Sequence, residues 1–320
     1  MDPAIPRLSV ILTGRNDGYG VDFLDRLVAA TRFNVRCLDE AGIPFEYVLV
    51  EWAPPADRPL LSDLLLQAVP ALGDRLTTYL VDPEYQAAMT QNARLAFLEF
   101  PAKNVGLRRA TGEFLLSTNA DTLLSRGVLE SLRRGLQPGR LYRAPRVDLK
   151  LGLDRQGLTW ELIESPRNHW RRQTLRPPLY SGGTGDFLLA DRGTFHALRG
   201  FNEIFRLTRV AVDYNLLVKA YGCGIPIEPI DGCVYHLNHT GSFRTSRAMF
   251  DARPGDAPQG DRRWHSRHVS YENPDGWGLA AAPAEPLGPQ RMRLRFDAAA
   301  APPLLDLRRI VLPARRSAPR

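Results

Sequence analysis

With 320 residues, 44% hydrophobic and 24% charged, the chain is long enough for one large α/β domain or two small ones with a substantial core. Three cysteines, Cys37, Cys223 and Cys233, are odd in number and lack metal-ligand spacing, which excludes a disulfide framework or zinc site and fits a reduced cytoplasm. The formal charge of +7 does not point to nucleic acid, because residues 281–320 alone hold eight arginines against three acids.

No apolar run reaches the length of a membrane span, and the first residues, Met1-Asp2-Pro3, lack the basic start and apolar core of a secretory signal. Neither secretion nor insertion is expected. The basic C-terminal stretch is read as a solvated or loosely packed extension, with contact to anionic lipid at a membrane, to nucleic acid or to an acidic partner as its alternatives.

Taken in order, Leu8-Ser9-Val10-Ile11-Leu12-Thr13 is a first strand, closed by the turn-forming loop Gly14-Arg15-Asn16-Asp17-Gly18-Tyr19-Gly20. Apolar residues then recur at helical spacing from Phe23 to Leu38, so strand, loop and helix open a βαβ unit with the loop at the ligand end of the sheet. The glycine spacing does not match the dinucleotide fingerprint and no Walker lysine is present, which argues against a dehydrogenase or P-loop enzyme. A second strand over 45–50 delivers Glu51 to the same end, where an acid accepts hydrogen bonds from a nucleobase or ribose; an exposed strand-end charge is the bland alternative. A helix over 60–72, a strand over 76–81 and a helix between 82 and 94 follow.

The segment Lys103-Asn104-Val105-Gly106-Leu107-Arg108-Arg109-Ala110-Thr111-Gly112 carries one or two helical turns whose basic side chains either face a pyrophosphate or are solvated. It leads into the apolar run Phe114-Leu115-Leu116, a buried strand that surfaces at Asn119-Ala120-Asp121. One carboxylate close to an amide there suits a hard divalent cation. The competing reading is a polar strand-to-helix turn, with Ser125 capping a helix over 126–134.

In their order and spacing, the LSVILTGRND opening, the acid after the second strand, the KNVGLRRATGE segment and the TNAD strand end resemble the nucleotide-sugar half of GT-A glycosyltransferases of the family 2 type. The resemblance covers residues 8–239. It implies a GT-A (Rossmann-like) α/β fold, a mostly parallel central sheet flanked by helices, as a single domain over 1–280. The nucleotide-sugar half would span about 1–125, the acceptor half about 126–280, and an Ala/Pro/Arg-rich tail 281–320. It also implies donor contacts from Thr13, Arg15, Asn16, Asp17, Glu51, Lys103, Asn104, Arg108, Asn119 and Asp121, with a UDP-, GDP- or dTDP-sugar as donor. The family motif at 119–121 is an Asp-x-Asp whose second acid binds Mg²⁺ or Mn²⁺; here the first position is Asn119, which leaves an amide for ribose and less charge in the site.

In the second half, 141–148 reads as a strand and 150–178, with Trp160 and Trp170, as a long polar acceptor-side loop. The resemblance places Gly185, Asp186 and Trp170 on the acceptor side, the acceptor being a glycan, lipid or small molecule. Asp186 serves a sugar hydroxyl or a turn. Asp213, near the start of an apolar helix, is a first-turn acid by position and the general base by resemblance, with Val212 standing where a Glu is common. His236 and His239, three apart at a strand exit, are metal or diphosphate ligands or structural histidines. Residues 242–267 read as a lid or loop and 275–278 as a docking turn. The expected reaction is inverting transfer of a sugar to an acceptor hydroxyl; the alternatives are a nucleotide-sugar-binding protein without turnover and a nucleotidyltransferase.

Overall fold

A computed structural model describes residues 7–18, 22–92, 95–206, 211–239 and 272–302. Its first strand, β1 (Leu8–Gly14), is followed by α1 (Phe23–Glu40), β2 (Phe45–Trp52), α2 (Leu61–Ala68), β3 (Leu76–Val81), α3 (Pro83–Met89), α4 (Glu99–Arg109) and β4 (Phe114–Ser117). Side chains of a strand point alternately to its two faces, so β1 sends Leu8, Val10 and Leu12 into the layer under α1 and Ile11 into the layer under α4. That two-sided burial, worth about 1.5–3 kcal/mol per large aliphatic side chain, is why β1 is a nearly continuous apolar run. Gly106 lets α4 approach closely, since a Cβ there would stand 2.6 Å from Ile11 Cγ2.

The chain continues through β5 (Thr122–Leu124), α5 (Arg126–Arg134), β6 (Leu141–Arg143), β7 (Arg146–Leu149), α6 (Trp160–Glu164), β8 (His169–Arg172), β9 (Leu188–Asp191), α7 (Arg192–Ala197), α8 (Val212–Gly222), β10 (Ile227–Pro229), β11 (Val234–His236), β12 (Ala284–Gly288) and β13 (Arg291–Leu294). The large sheet has the order β10-β6-β9-β4-β1-β2-β3-β13-β12; β4, β1, β2, β3 and β13 run parallel, and β9 and β12 run against their neighbours. This is the mostly parallel α/β sheet flanked by helices that the sequence predicts. Strands β1, β2 and β3 build outward in one direction and β4 returns to the other side of β1. The carboxyl ends of β1 and β4 therefore flank a topological switch point, the usual ligand crevice of an open α/β sheet. A four-stranded sheet, β5-β11-β7-β8, stands beyond that end.

One expectation is corrected here. The strand expected over 141–148 is split: β6 joins the large sheet and β7 the small one, with Ala144 and Pro145 between them. Beyond residue 280, β13 pairs in parallel register with β3, and Leu294 is fully buried beside Val81, Trp52 and Tyr85. The alternation Arg291-Met292-Arg293-Leu294 gives the large sheet another strand rather than beginning a solvated tail. The expected lid over 242–267 and the chain from 303 onward lie outside the described residues.

Candidate active site and metal centre

Asp121 lies between β4 and β5, and its backbone oxygen accepts from Leu237 N at 2.9 Å, prolonging the pairing of β5 with β11. His236, the last residue of β11, stands opposite Thr122 on one side and Asp148 on the other. This register brings Nε2 of His236 and Nε2 of His239 each to 3.5 Å from Asp121 Oδ2. One ligand atom from each of the three residues lies within 4.8 Å of the others, a carboxylate and two imidazoles facing one point. Asp121, 7% exposed, and His236, 6% exposed, are buried, and His239 is half-buried.

Asp148 Oδ1 sits 3.0 Å from Nδ1 of His236, which leaves Nε2 as the nitrogen facing Asp121. Arg146, two residues earlier on the same face of β7, holds that carboxylate at 2.6 Å through Nε and reaches Asp186 Oδ2 at 2.7 Å. On the other side Arg26, 1% exposed on α1, donates to Asp121 Oδ2 at 3.2 Å and pairs with Asp22, which also binds Arg155 at 2.6 Å. Burial opposes the charge on Asp121, but His236, then Arg26 and His239, hold its carboxyl well below the usual range. Burial likewise opposes a charged His236, yet Asp121 and the hydrogen bonds to Asp121 and Asp148 outweigh it and push the imidazole up to about 9. A divalent cation at this point would take the place of that proton between imidazole and carboxylate.

The donor set fits a metal, with one hard oxygen and two borderline nitrogens. Imidazole pairs suit first-row transition ions better than Mg²⁺, which prefers oxygen and water, so of the two expected cations Mn²⁺ fits better.

The amide of Asn119 links this centre to Asp213. Its Nδ2 donates to Asp186 Oδ1 at 2.8 Å and its Oδ1 accepts from Lys103 Nζ at 3.0 Å. Gly185 lies between the two, and a Cβ there would meet Asp213 Oδ2 at 3.3 Å and Asn119 Nδ2 at 3.6 Å. Ala211, in the left-handed region at φ 57°, turns the chain into α8 and sets Asp213 in its first turn. The N-cap residue makes no side-chain cap bond. Burial pushes the Asp213 carboxyl up, opposed by a Tyr214 backbone hydrogen bond and by the Lys103 and Arg143 charges. Arg143, fully buried on β6, donates to the carbonyls of Tyr180 (3.1 Å), Gly182 (2.9 Å) and Thr184 (3.0 Å) and so pins the loop that carries Gly185.

At the ends of β1 to β3, Arg15 binds Asp17 at 2.9 Å and the carbonyl of Ala96 at 2.8 Å, and Asn16 binds the carbonyl of Pro59 at 2.9 Å. Thr13, half-buried, ends the apolar part of β1 beside them. The loop after β1 is thus tied to the loops after β2 and before α4.

Several of the expected site residues have partners within the chain. Glu51 does not lie exposed: it is fully buried, and its carboxylate accepts from Leu61 N (2.7 Å) and Ser62 N (2.9 Å), satisfying the start of α2. Lys103 is 1% exposed and paired with Glu99 at 3.0 Å, so it lies beneath the site instead of reaching into solvent for a pyrophosphate. Asn104 bridges Phe201 and Glu203, and Arg108 donates to the carbonyl of Trp277 at 3.2 Å across its ring. The basic helix therefore braces the 277–279 turn, in keeping with the docking role expected of that turn. Asp186 has both oxygens engaged, Oδ1 by Asn119 and Oδ2 by Arg146. Trp170 is 64% exposed on the edge strand β8. Ser125 does cap α5, Val128 N donating to its Oγ at 3.4 Å, and Asp121 joins the cluster all the same.

Sequence reasoning missed Arg26, Asp22, Arg155, Arg143, Arg146 and Asp148. The signal available was Arg146-Val147-Asp148, two opposite charges on one face of an otherwise apolar strand.

No protein-family model matches the chain, and comparison with curated proteins finds no match. Among solved structures, the chain is similar to GalNAc-T7 with UDP, GalNAc and Mn²⁺, at 15% identity and a TM-score of 0.45, covering 74% of this chain and 44% of that one. It is also similar to the galactosyltransferase LgtC in complex with donor and acceptor sugar analogs, at 12% identity and a TM-score of 0.38, covering 82% of this chain and 84% of that one. An active-site mutant of LgtC is similar at 12% identity and a TM-score of 0.37, covering 82% and 85%. The chain spans less than half the length of the GalNAc-T7 structure.

Proposed function

We propose that this chain is a metal-dependent glycosyltransferase of the GT-A type that moves a sugar from a nucleotide-sugar donor to an acceptor hydroxyl. The observation that carries this reading is the convergence of Asp121, His236 and His239 at the switch point between β1 and β4, with Asp213 reached through Asn119 and Gly185. Asp121, His236 and His239 would hold the divalent cation. Bound there, such an ion supplies Lewis-acid neutralisation of the charge on a departing diphosphate.

The remaining work falls to side chains of this chain. The loops tied together by Arg15 and Asn16 form the seat for the nucleoside of the donor, and Asn119 offers its amide to the ribose. Asp213, raised by burial, is a stronger base than a solvated carboxylate and takes the proton of the acceptor hydroxyl. Attack from the side opposite the diphosphate inverts the anomeric centre, in the manner of family 2. Arg143 holds the Gly185 loop against Asp213, and the lack of a side chain at Gly185 leaves room for the acceptor.

A thermal-shift screen of nucleoside diphosphates and UDP-, GDP- and dTDP-sugars tests this reading, because a ligand of the native state raises the melting temperature. A rise with one base class in Mn²⁺, abolished by chelator, is expected. No rise with any nucleotide, in any metal, contradicts the reading.

A further inference from the structure

The small sheet ends on β8, whose outer edge is unpaired among the described residues. Residues 165–180 contain four arginines, Arg167, Arg171, Arg172 and Arg176, and no acid. All four are exposed, and no ion pair holds any of them among the described residues, whereas Arg126, Arg133 and Arg134 nearby on α5 pair with Glu164, Glu130 and Asp231. Trp170 stands among them at 64% exposure, the highest of the large apolar side chains described. Leu151, 55% exposed, follows β7 next to this strand, where Lys150 N donates to Asn168 O at 2.8 Å.

An exposed tryptophan and leucine beside cations that no ion pair holds among the described residues is the composition of a surface lying at a lipid headgroup layer: the indole fits the interface, the leucine the acyl boundary, and the arginines the anionic headgroups. A soluble polyanion would satisfy the arginines and leave both apolar side chains in water. We propose that the free edge of β8, from which Arg171 and Arg172 leave on opposite faces of the sheet, docks with Trp170 and Leu151 on an anionic phospholipid bilayer. Arg171 stands opposite Asp148 in the register of β7 and β8, and the Asp148 carboxylate holds His236, so the docked edge adjoins the site. The inference stands apart from the transferase reading, since vesicle binding requires neither donor nor metal.

The test is flotation of the full chain with vesicles of equal parts phosphatidylcholine and phosphatidylglycerol, against phosphatidylcholine alone, at low salt. The wild type is expected to float with the anionic vesicles only. Each neutralised arginine weakens partitioning about fivefold, so R171Q/R172Q binds about 25-fold less. W170A binds less by about tenfold. All of these side chains are exposed, so the melting temperatures of the variants stay at the wild-type value, which separates lost docking from lost folding. The arginines beyond residue 302 are intact in every variant. Wild-type flotation of R171Q/R172Q would therefore assign the binding elsewhere and overturn the proposal, as would failure of the wild type to float with anionic vesicles. Heparin binding by the patch without vesicle binding would overturn it in favour of a soluble polyanion.

Discussion

Asp148 Oδ1 lies 3.0 Å from Nδ1 of His236, and through that contact β7 fixes which imidazole nitrogen faces Asp121. Partners of this kind are worth about 10- to 100-fold in metal affinity. Asp148→Ala is accordingly expected to weaken Mn²⁺ binding within that range, measured by calorimetry or by the electron-spin resonance of free Mn²⁺. Unchanged affinity would mean that the ring is held by its strand alone.

The identity of the ion follows from the donor atoms. Two imidazoles and one carboxylate favour a first-row transition ion over Mg²⁺. Mn²⁺ should bind at least about tenfold tighter than Mg²⁺, a difference of roughly 1.4 kcal/mol, in competition titrations. Equal affinities would point to an all-oxygen site formed by Asp121 with solvent.

Asp213→Asn should lower kcat by about 10²- to 10⁴-fold while leaving donor binding near the wild-type value, since an amide keeps the size but accepts no proton. Burial raises the Asp213 pKa, so the base form is present above that raised value and lost as pH falls through it. The acid limb of the rate profile should therefore lie above the ordinary carboxylate range and vanish in the variant. Comparable turnover by variant and wild type would return Asp213 to a structural role in the first turn of α8.

Leu294 tests the assignment of β13 to the large sheet. It is fully buried against the cluster of Val81, Trp52 and Tyr85, and Leu294→Ala should cost about 2–5 kcal/mol in urea unfolding. A loss below about 0.5 kcal/mol, the level of an exposed position, would restore the reading of residues 281–302 as an appended tail.

What the sequence disclosed follows from what each residue contacts. The strands β1, β2 and β4 are buried on both faces, and such strands announce themselves as apolar runs between turn formers. Asp121, His236 and His239 were legible because each stands at the end of a strand, where a polar residue marks the exit from the core. Arg26 was not, because its partner Asp121 lies 95 positions away and a buried arginine in an amphipathic helix reads as part of the polar face. Glu51 misled for the opposite reason: an acid at a strand end looks the same whether it meets a ligand or the free amides of α2. β13 was hidden by its arginines, which alternate with Met292 and Leu294 on a strand near the edge of the sheet and raise its charge without removing its period.

If Asp121, with His236 and His239, supports cleavage of a nucleotide sugar, the reaction releases nucleoside diphosphate. With Mn²⁺ and a panel of UDP-, GDP- and dTDP-sugars, the wild type should release diphosphate from donors of one base. Chelator and Asp121→Ala should each abolish that release while the variant keeps its fold by circular dichroism. Release by Asp121→Ala at the wild-type rate, or no release by the wild type from any donor in the presence of candidate acceptors, would contradict the account.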